Sequence, residues 1–208
     1  MSIEAPEDLT FAFLLARCLK ARAAVRIVLG GRILVRASDI LAGHPAVDWI
    51  VRGEGEVPLL LLAASLHGAW QLDRIPNLIY RAAGGARENP PAYHDLDVFE
   101  TPVPDGLDRS AYDQDAFLGR AAAFPYFFIK DCPFHCAFCG NTSKGTCRMR
   151  DPARVVRDLR TLRENHGIRQ FYFLNTLINV RDDYLEALLD ALEEAALDVE
   201  WTDCCRPG

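Results

Sequence analysis

The sequence predicts an α/β protein with two parallel sheets, in which short strands alternate with helices. Short apolar runs suit buried strands, and the segments between them have helical spacing. The texture changes over residues 84–106, which hold four prolines and three glycines and indicate a linker or a loop-rich connection. The 208 residues are 50% hydrophobic and 25% charged, so the chain can bury a proper core.

The first part of the chain follows the order helix, strand, helix, strand, helix. Residues 9–22 have helical spacing, and residues 25–31 and 47–51 have the composition of short buried strands. Residues 36–43 favour a short helix, and Pro58 stands where a first-turn proline belongs. Both strands end in glycine-rich sequence, and strand ends of this kind bind ligands in parallel α/β sheets.

The second part of the chain alternates in the same way around a loop rich in cysteine. The Asp151 side chain is expected to cap the helix that follows this loop, and Gly167 to end it. A turn and a strand over residues 72–82 precede the linker. The predicted strands and helices of the second part are residues 122–130, 151–166, 169–175, 182–196 and 198–204. We place a domain boundary near residue 100, which divides the chain into residues 1–70, a connector over 71–121, and residues 122–208.

Charge and composition exclude several classes of protein. The net charge of −6 argues against a general nucleic-acid binder. No run of about 18 apolar residues is present, so we expect no membrane partner. Residues 1–7 are acidic and lack a basic region, so we expect no signal peptide. Seven cysteines without export signals do not indicate a disulfide framework, and we interpret Cys18 as a core thiol.

Three cysteines lie within eight residues, directly after a predicted strand. Cys132, Cys136 and Cys139 can therefore converge on one centre of a soft metal, either iron in an iron–sulfur cluster or zinc. A structural zinc site needs four ligands. His135 or Cys147 could complete such a site, although neither has a common spacing for it. Three thiolates would instead leave one iron of a [4Fe–4S] cluster without a protein ligand.

The spacing C-x3-C-x2-C, with Phe138 before the third cysteine, resembles the signature of the radical S-adenosylmethionine (SAM) enzymes. Their loop follows the first strand of a partial (β/α)6 barrel. The resemblance implies that the three cysteines hold a [4Fe–4S] cluster whose open iron binds SAM. It also implies reductive cleavage of SAM to a 5′-deoxyadenosyl radical, with Phe138 near the adenine. Where relatives often carry an acidic residue at the end of the second barrel strand, this chain has Asn175. By the resemblance Asn175 contacts SAM, and the alternative is an asparagine that only begins a loop.

The first part of the chain is similar to the later part of the cobalamin-binding, Rossmann-like domain that precedes many radical SAM barrels. The resemblance implies cobalamin as a further cofactor, with the glycine-rich strand ends lining its pocket. No D-x-H-x-x-G element occurs, and about three strands of the barrel are present where the family has about six. The chain therefore resembles an internal fragment of a longer protein. The alternative for the glycine-rich strand ends is that they only form tight strand-to-helix turns. The residues expected at the cobalamin pocket are Gly30, Gly31, Gly53, Glu54, Gly55 and Glu56.

These observations predict a radical SAM enzyme, or a fragment of one. The expected reaction is cobalamin-dependent C-methylation or another modification of a small molecule, a peptide or a natural product. An electron donor such as flavodoxin or ferredoxin is the expected protein partner, and the cytoplasm is the expected compartment because thiolates need reducing conditions. The alternatives are a non-catalytic module that binds zinc or a redox-only cluster, and an inactive truncated product.

Overall fold

The computed structural model describes residues 1–3, 5–31, 37–108, 123–139 and 147–207. The chain divides into two compact units, Met1–Tyr93 and His94–Gly208. The dividing point falls inside the proline-rich stretch over residues 84–106. None of the helices among these described residues has the length and apolar character that crossing a membrane requires.

The first unit is a four-stranded mixed sheet with helices. Its strands are ordered β1-β2-β3-β4, with β1 and β2 parallel and the remaining two pairs antiparallel. Leu29, Ile50 and Ile79 are fully buried at the centre of this sheet. The elements are α1 (Pro6–Arg22), β1 (Val28–Gly30), α2 (Ala37–Gly43), β2 (Trp49–Val51), α3 (Glu56–Ser65), β3 (Leu78–Ala82) and β4 (Gly85–Glu88).

The hairpin of β3 and β4 corrects the prediction that a linker begins at residue 84. Ala82 pairs with Gly85, so the two strands are joined by a two-residue turn at Ala83 and Gly84. Gly84 has φ +100° and Gly85 has φ +129°, a conformation that glycine adopts without steric cost. The strand was missed because β4 is exposed along its whole length and has no apolar alternation.

Residues 1–3 lie along the free edge of β1. The amide of Ile3 donates to the carbonyl of Gly30 at 2.7 Å, and the amide of Gly30 donates to the carbonyl of Met1 at 3.0 Å. Gly31 has φ +133°, and a Cβ placed on it would lie 2.0 Å from the carbonyl oxygen of Ile3. Glycine at position 31 is therefore required by the close approach of the chain's own backbone.

The second unit contains a three-stranded parallel sheet and a separate two-stranded ribbon. The parallel sheet has the order β5-β8-β9, and the antiparallel ribbon consists of β6 and β7. The predicted strand over residues 122–130 is thus two strands. The elements are β5 (Phe124–Tyr126), β6 (Ile129–Lys130), β7 (Arg148–Met149), α4 (Pro152–His166), β8 (Gln170–Phe173), α5 (Asp182–Ala195) and β9 (Glu200–Thr202).

Helix α4 covers the parallel sheet as its sequence predicts. The carboxylate of Asp151 accepts a hydrogen bond from the amide of Ala153 at 2.8 Å, and Gly167 ends the helix in the left-handed conformation with φ +66°. The side chains of Val155, Leu159 and Leu162 are fully buried against the sheet. Their 3.6-residue spacing places them on one face, so packing on the sheet adds to the stability given by the caps.

Candidate functional site: the cysteine loop and the strand ends beside it

The cysteine loop, residues 131–147, connects β6 to β7. Lys130 pairs with Arg148 across the ribbon, which brings the two ends of the loop together. The guanidinium of Arg148 also donates to one carboxylate oxygen of Asp131, at 2.9 Å from Nε and 2.6 Å from Nη2. Asp131 has φ +71°, so the chain turns sharply one residue before Cys132. The base of the loop is thus fixed by backbone pairing and by an ion pair.

The three predicted ligands are cysteine side chains in different environments. Cys132 is buried, Cys136 is half-buried and Cys139 is exposed. The amide of Cys139 donates to the carbonyl of Cys136 at 3.1 Å, so the second half of the motif forms a turn. Among the described residues, no three His, Cys, Asp or Glu side chains are grouped closely enough to hold a metal ion. The donor set nevertheless fits an iron–sulfur cluster, because three cysteine side chains lie on one short segment.

The two residues considered as a fourth zinc ligand lie at different places. His135 is exposed within the loop. Cys147 is half-buried at the end of the loop, near Cys132 and Asp131. Burial, and then the negative charge of those two neighbours, raises the pKa of the Cys147 thiol. The described residues do not gather either side chain with the three cysteines into a four-ligand group.

Asn175 lies directly after β8 and ties three strand ends together. Its Oδ1 accepts hydrogen bonds from the amides of Phe128 at 2.9 Å and Ile129 at 2.8 Å, both of which precede the cysteine loop. Its Nδ2 donates to the carboxylate of Asp203, after β9, at 2.7 Å. The Asn175 side chain is buried, and these bonds use its oxygen for backbone amides. The predicted contact of Asn175 with SAM stays a prediction.

Asp203 is a functional candidate that the sequence interpretation did not single out. It follows β9 and also accepts a hydrogen bond from the amide of Cys204 at 2.6 Å. Burial raises the pKa of the Asp203 carboxyl above its ordinary value, against the lowering effect of Asn175. An acidic residue near the carboxyl end of the strand predicted over residues 198–204 was the available signal, since ligands bind at such ends.

Arg206 reaches the cysteine loop from the segment after β9. Its guanidinium carbon lies 4.4 Å from the ring centroid of Phe134, which is a cation–π contact. Asn179 holds the backbone of Arg206 by two hydrogen bonds, from its Nδ2 to the carbonyl at 2.7 Å and from the Arg206 amide to its Oδ1 at 2.9 Å. Phe138, predicted to lie near the adenine of SAM, is 93% exposed, and that role stays a prediction.

Three basic residues, Lys144, Arg148 and Arg150, lie close in sequence to the cysteines. Basic runs of this kind are mostly solvated, but the two members that the structure describes are paired with acidic groups. Arg148 joins Asp131, as described above, and Arg150 is buried. Arg150 pairs with the buried carboxylate of Asp158 and donates to the carbonyls of Leu96 and Phe99. The third member of the run, Lys144, lies outside the described residues.

In the first unit, the glycine-rich strand ends lie where the sequence places them. Gly30 ends β1, and a Cβ on it would make only ordinary contacts. Gly53 has φ +88° and faces open space. The close contact of Gly31 with the backbone of Ile3 explains why glycine is needed at position 31 without any ligand. The predicted roles of these glycines, and of Gly55, at a cobalamin pocket stay predictions.

The loop after β2 is held by a buried asparagine. Asn77, with φ +61°, donates from Nδ2 to the carbonyl of Glu54 at 3.1 Å and to the carbonyl of Ala92 at 3.2 Å. Its Oδ1 accepts from the amide of Ala92 at 2.7 Å. Glu54 is itself buried, and Glu56 begins α3. The dipeptide Pro76-Asn77 is a turn signal that could have drawn attention to this residue.

The sequence also favours core positions for Cys204 and Cys205, at the end of the last predicted strand, and the structure contradicts the core interpretation of these two thiols and of Cys18. Cys18, predicted to be buried on the apolar face of α1, is exposed, and so are Cys204 and Cys205. The apolar residues of α1 are spread around the helix, and Ala12 and Ala16 form its buried face. The helical spacing predicted the helix correctly, but not which side faces the core.

Two curated proteins illustrate the sequence similarity of the chain. It is 27% identical over 190 residues to an uncharacterized methyltransferase of Pyrococcus horikoshii, which covers 88% of the chain and 40% of that protein. It is 28% identical over 158 residues to an anaerobic magnesium-protoporphyrin IX monomethyl ester cyclase of Synechocystis, which covers 73% of the chain and 31% of the cyclase. The chain thus spans less than half the length of these relatives. No family model matches it.

Two solved enzymes have the fold of the chain. The radical SAM methyltransferase TsrM of Kitasatospora setae, with cobalamin and a [4Fe–4S] cluster bound, gives a TM-score of 0.64 at 18% identity over 89% of this chain and 37% of TsrM. The cobalamin-dependent SAM radical enzyme OxsB, with aqua-cobalamin and SAM bound, gives 0.72 at 16% identity over 96% of this chain and 29% of OxsB.

The bound groups of these two enzymes are the three cofactors that the sequence predicts. At identities this low, the likeness establishes the fold. The chain therefore has the Rossmann-like and partial-barrel α/β fold of the cobalamin-dependent radical SAM enzymes TsrM and OxsB, as its sequence predicts.

Proposed function

We propose that this chain is the cluster-binding part of a radical SAM enzyme, in which Cys132, Cys136 and Cys139 hold a [4Fe–4S] cluster. The observation that carries the proposal is the position of the cysteine loop. It follows β6, which begins three residues after the carboxyl end of β5, and Asn175 connects Phe128 and Ile129 at this junction to the ends of β8 and β9. The carboxyl ends of parallel strands are where α/β sheets bind their ligands.

The chain's own residues would bind and orient the cofactor. Three thiols supply soft ligands, and a cluster with three protein ligands keeps one iron open for SAM. When bound, the cluster would supply the electron for the reductive cleavage of SAM. Asn175 and the Arg148–Asp131 pair fix the two ends of the segment that carries the thiols. Phe138 and Asn175 remain the proposed contacts for SAM.

The proposed division into domains and the proposed cobalamin site are based on the similarity to the relatives. We propose that residues 1–70 form the cobalamin-binding-like domain, 71–121 the connector, and 122–208 the first part of the barrel. Cobalamin is proposed on the likeness of the fold, with the loops at Gly30–Gly31 and Gly53–Glu56 as its place. The chain has no D-x-H-x-x-G element to supply a cobalt ligand, so no reaction step is assigned through cobalamin.

The proposed reaction is C-methylation or a related modification of a small molecule or peptide. The methyltransferase among the curated relatives and TsrM, which is described with a tryptophan substrate, support this class. A flavodoxin- or ferredoxin-type protein is the proposed electron donor, and the cytoplasm is the proposed compartment. These proposals concern the activity of a whole protein of the relatives' length. The chain spans less than half of that length.

Anaerobic reconstitution tests the cluster assignment. We expect about four irons and four sulfides per chain, with a broad absorption at about 400 nm. The EPR signal of the reduced protein should change when SAM is added. Replacing Cys132, Cys136 or Cys139 by Ala should each prevent assembly of the cluster. The matched control is Cys18→Ala, which removes an exposed thiol from the other unit and should leave the iron content unchanged.

Two outcomes would contradict this assignment. A colourless protein with one tightly bound zinc would favour the non-catalytic metal module. Full cluster content in any of the three cysteine variants would remove that residue from the ligand set. A loaded wild-type protein that binds SAM but forms no 5′-deoxyadenosine would support the inactive truncated product.

A further inference from the structure

The contact between Arg206 and Phe134 joins the end of β9 to the middle of the metal-binding motif. Phe134 stands two residues after Cys132 and two residues before Cys136. The guanidinium carbon of Arg206 lies 4.4 Å from the centre of its ring. Any restraint on Phe134 is therefore a restraint on the segment that separates the first two thiols.

The backbone that carries Arg206 is itself held in place. Asn179 makes two hydrogen bonds to the Arg206 main chain, and the amide of Ile178 donates to the carbonyl of Cys204 at 3.0 Å. Three residues before Arg206, the carboxylate of Asp203 accepts a hydrogen bond from Asn175. Arg206 thus projects from a strap, residues 203–206, that is fastened along its length to the loop between β8 and α5.

We propose that Arg206 is a positioning residue for the cysteine loop, which it holds through Phe134. The inference rests on the proposed function, since its purpose is to fix the relative positions of the thiols before a cluster binds. A cation–π contact at an exposed site changes the population of the held form about two- to fivefold. The guanidinium of Arg206 also places a permanent positive charge beside the segment that carries the three cysteines.

Thiol alkylation of the reduced, metal-free protein measures the restraint directly. We expect Arg206→Met to raise the rate of iodoacetamide modification of Cys132, which is buried in the structure, about two- to fivefold. Cys18, exposed in the other unit, is the internal reference for reagent reactivity. Mass spectrometry of the peptides assigns each modification, and circular dichroism checks that the variant is folded.

Conservative replacements separate the cation–π contact from a general structural effect. Arg206→Lys keeps a cation over the ring and should restore most of the protection, whereas Met, of similar length, should not. Phe134→Leu should raise the rate as Arg206→Met does, and the double variant should add nothing further. The matched control is Arg169→Met, which removes an exposed arginine from the same unit.

Cluster retention links the restraint to the proposed cofactor. In reconstituted protein, Arg206→Met should release iron to a chelator about two- to fivefold faster than wild type. Equal release rates and equal alkylation rates would overturn the inference while leaving the proposed function intact. A wild-type protein that assembles no cluster would overturn the proposed function. The ratio of the Cys132 alkylation rates of Arg206→Met and wild type would then be the test of whether Arg206 restrains the loop. Should Arg206→Met not fold, Asn179→Ser, which loosens the strap, takes its place in both measurements.

Discussion

Arg150 and Asp158 form an ion pair from which water is almost excluded, with side-chain exposures of 5% and 0%. The hydroxyl of Tyr126 donates to the same carboxylate at 2.7 Å, and the hydroxyl of Thr101 donates to its other oxygen at 2.5 Å. Burial and the adjacent carboxylate raise the pKa of Tyr126 far above its ordinary value, so the phenol stays a donor. The network joins residues 96–101 to β5, β7 and α4.

Breaking this pair should be costly. Asp158→Asn leaves the buried guanidinium of Arg150 with only the exposed carboxylate of Asp97, 3.8 Å from its Nε, as a counter-charge. We expect a loss of about 3–5 kcal/mol in the free energy of unfolding. Denaturant unfolding followed by circular dichroism measures it. As a control, Asp198→Asn removes the carboxylate of the exposed Arg169–Asp198 pair and should cost about 0–1 kcal/mol. Equal losses in the two variants would mean that Arg150 is not buried in solution.

Gly31→Ala tests the contact between the first residues of the chain and β1. The new methyl group would meet the backbone of Ile3, and Ala would also have to adopt φ +133°. Backbone strain of this kind costs about 1–3 kcal/mol, and the displacement of residues 1–3 adds to it. Thermal unfolding should show the loss, and amide exchange at Ile3 should become faster.

The neighbouring glycine provides the control. Gly30 has an ordinary φ, and its nearest neighbour beyond the adjoining residues would be 3.7 Å from a new Cβ. Gly30→Ala should therefore change the melting temperature much less than Gly31→Ala. If both variants were equally stable, the tight packing of Ile3 against Gly31 would be incorrect.

The raised pKa of Asp203 predicts a pH dependence of stability. A carboxyl group whose folded pKa is higher than its unfolded value of about 3.9 stabilises the fold below that value. This contribution is lost as the pH rises through the folded pKa, because the buried charge then has to form. Asp203→Asn keeps an acceptor for Asn175 without the charge. Its free energy of unfolding should therefore increase relative to wild type as the pH is raised from about 3.5 to 7.

Asp190→Asn controls for the loss of one negative charge, since Asp190 is exposed on α5. Urea unfolding of the three proteins at several pH values gives the comparison. A difference between Asp203→Asn and wild type that is the same at every pH, or that runs in the opposite direction, would contradict the raised pKa.

The sequence predicted the elements that repeat a strong pattern, and it missed those whose order comes from polar partners. Helix α4 has an N-cap, an apolar stripe and a terminal glycine, so its bounds came within a residue. Strand β4 has no apolar face, and β7 has only two residues, so neither gave a signal. Local patterns report burial along one element, whereas these strands depend on pairing with distant segments.

In the candidate site, too, the sequence predicted the residues that share one short segment and missed those that come from distant segments. Spacing alone grouped Cys132, Cys136 and Cys139, because ligands on one short loop are visible in sequence. Asp203 and Arg206 reach the loop region through the parallel sheet, more than 60 positions further along the chain. Their relation to the cysteines depends on which strands lie side by side, which spacing does not reveal.

The hydrogen bonds of Arg150 to Leu96 and Phe99 have a consequence for the order in which the protein is assembled. They span 54 and 51 positions of sequence, and the whole cysteine motif lies between the joined points. Closing a segment of this length has an entropic cost that grows only with the logarithm of its length. These hydrogen bonds involve none of the cysteines, so folding meets that cost without the cluster. An incoming cluster would thus meet a segment already closed at both ends, and less of its binding free energy would be spent on ordering the chain.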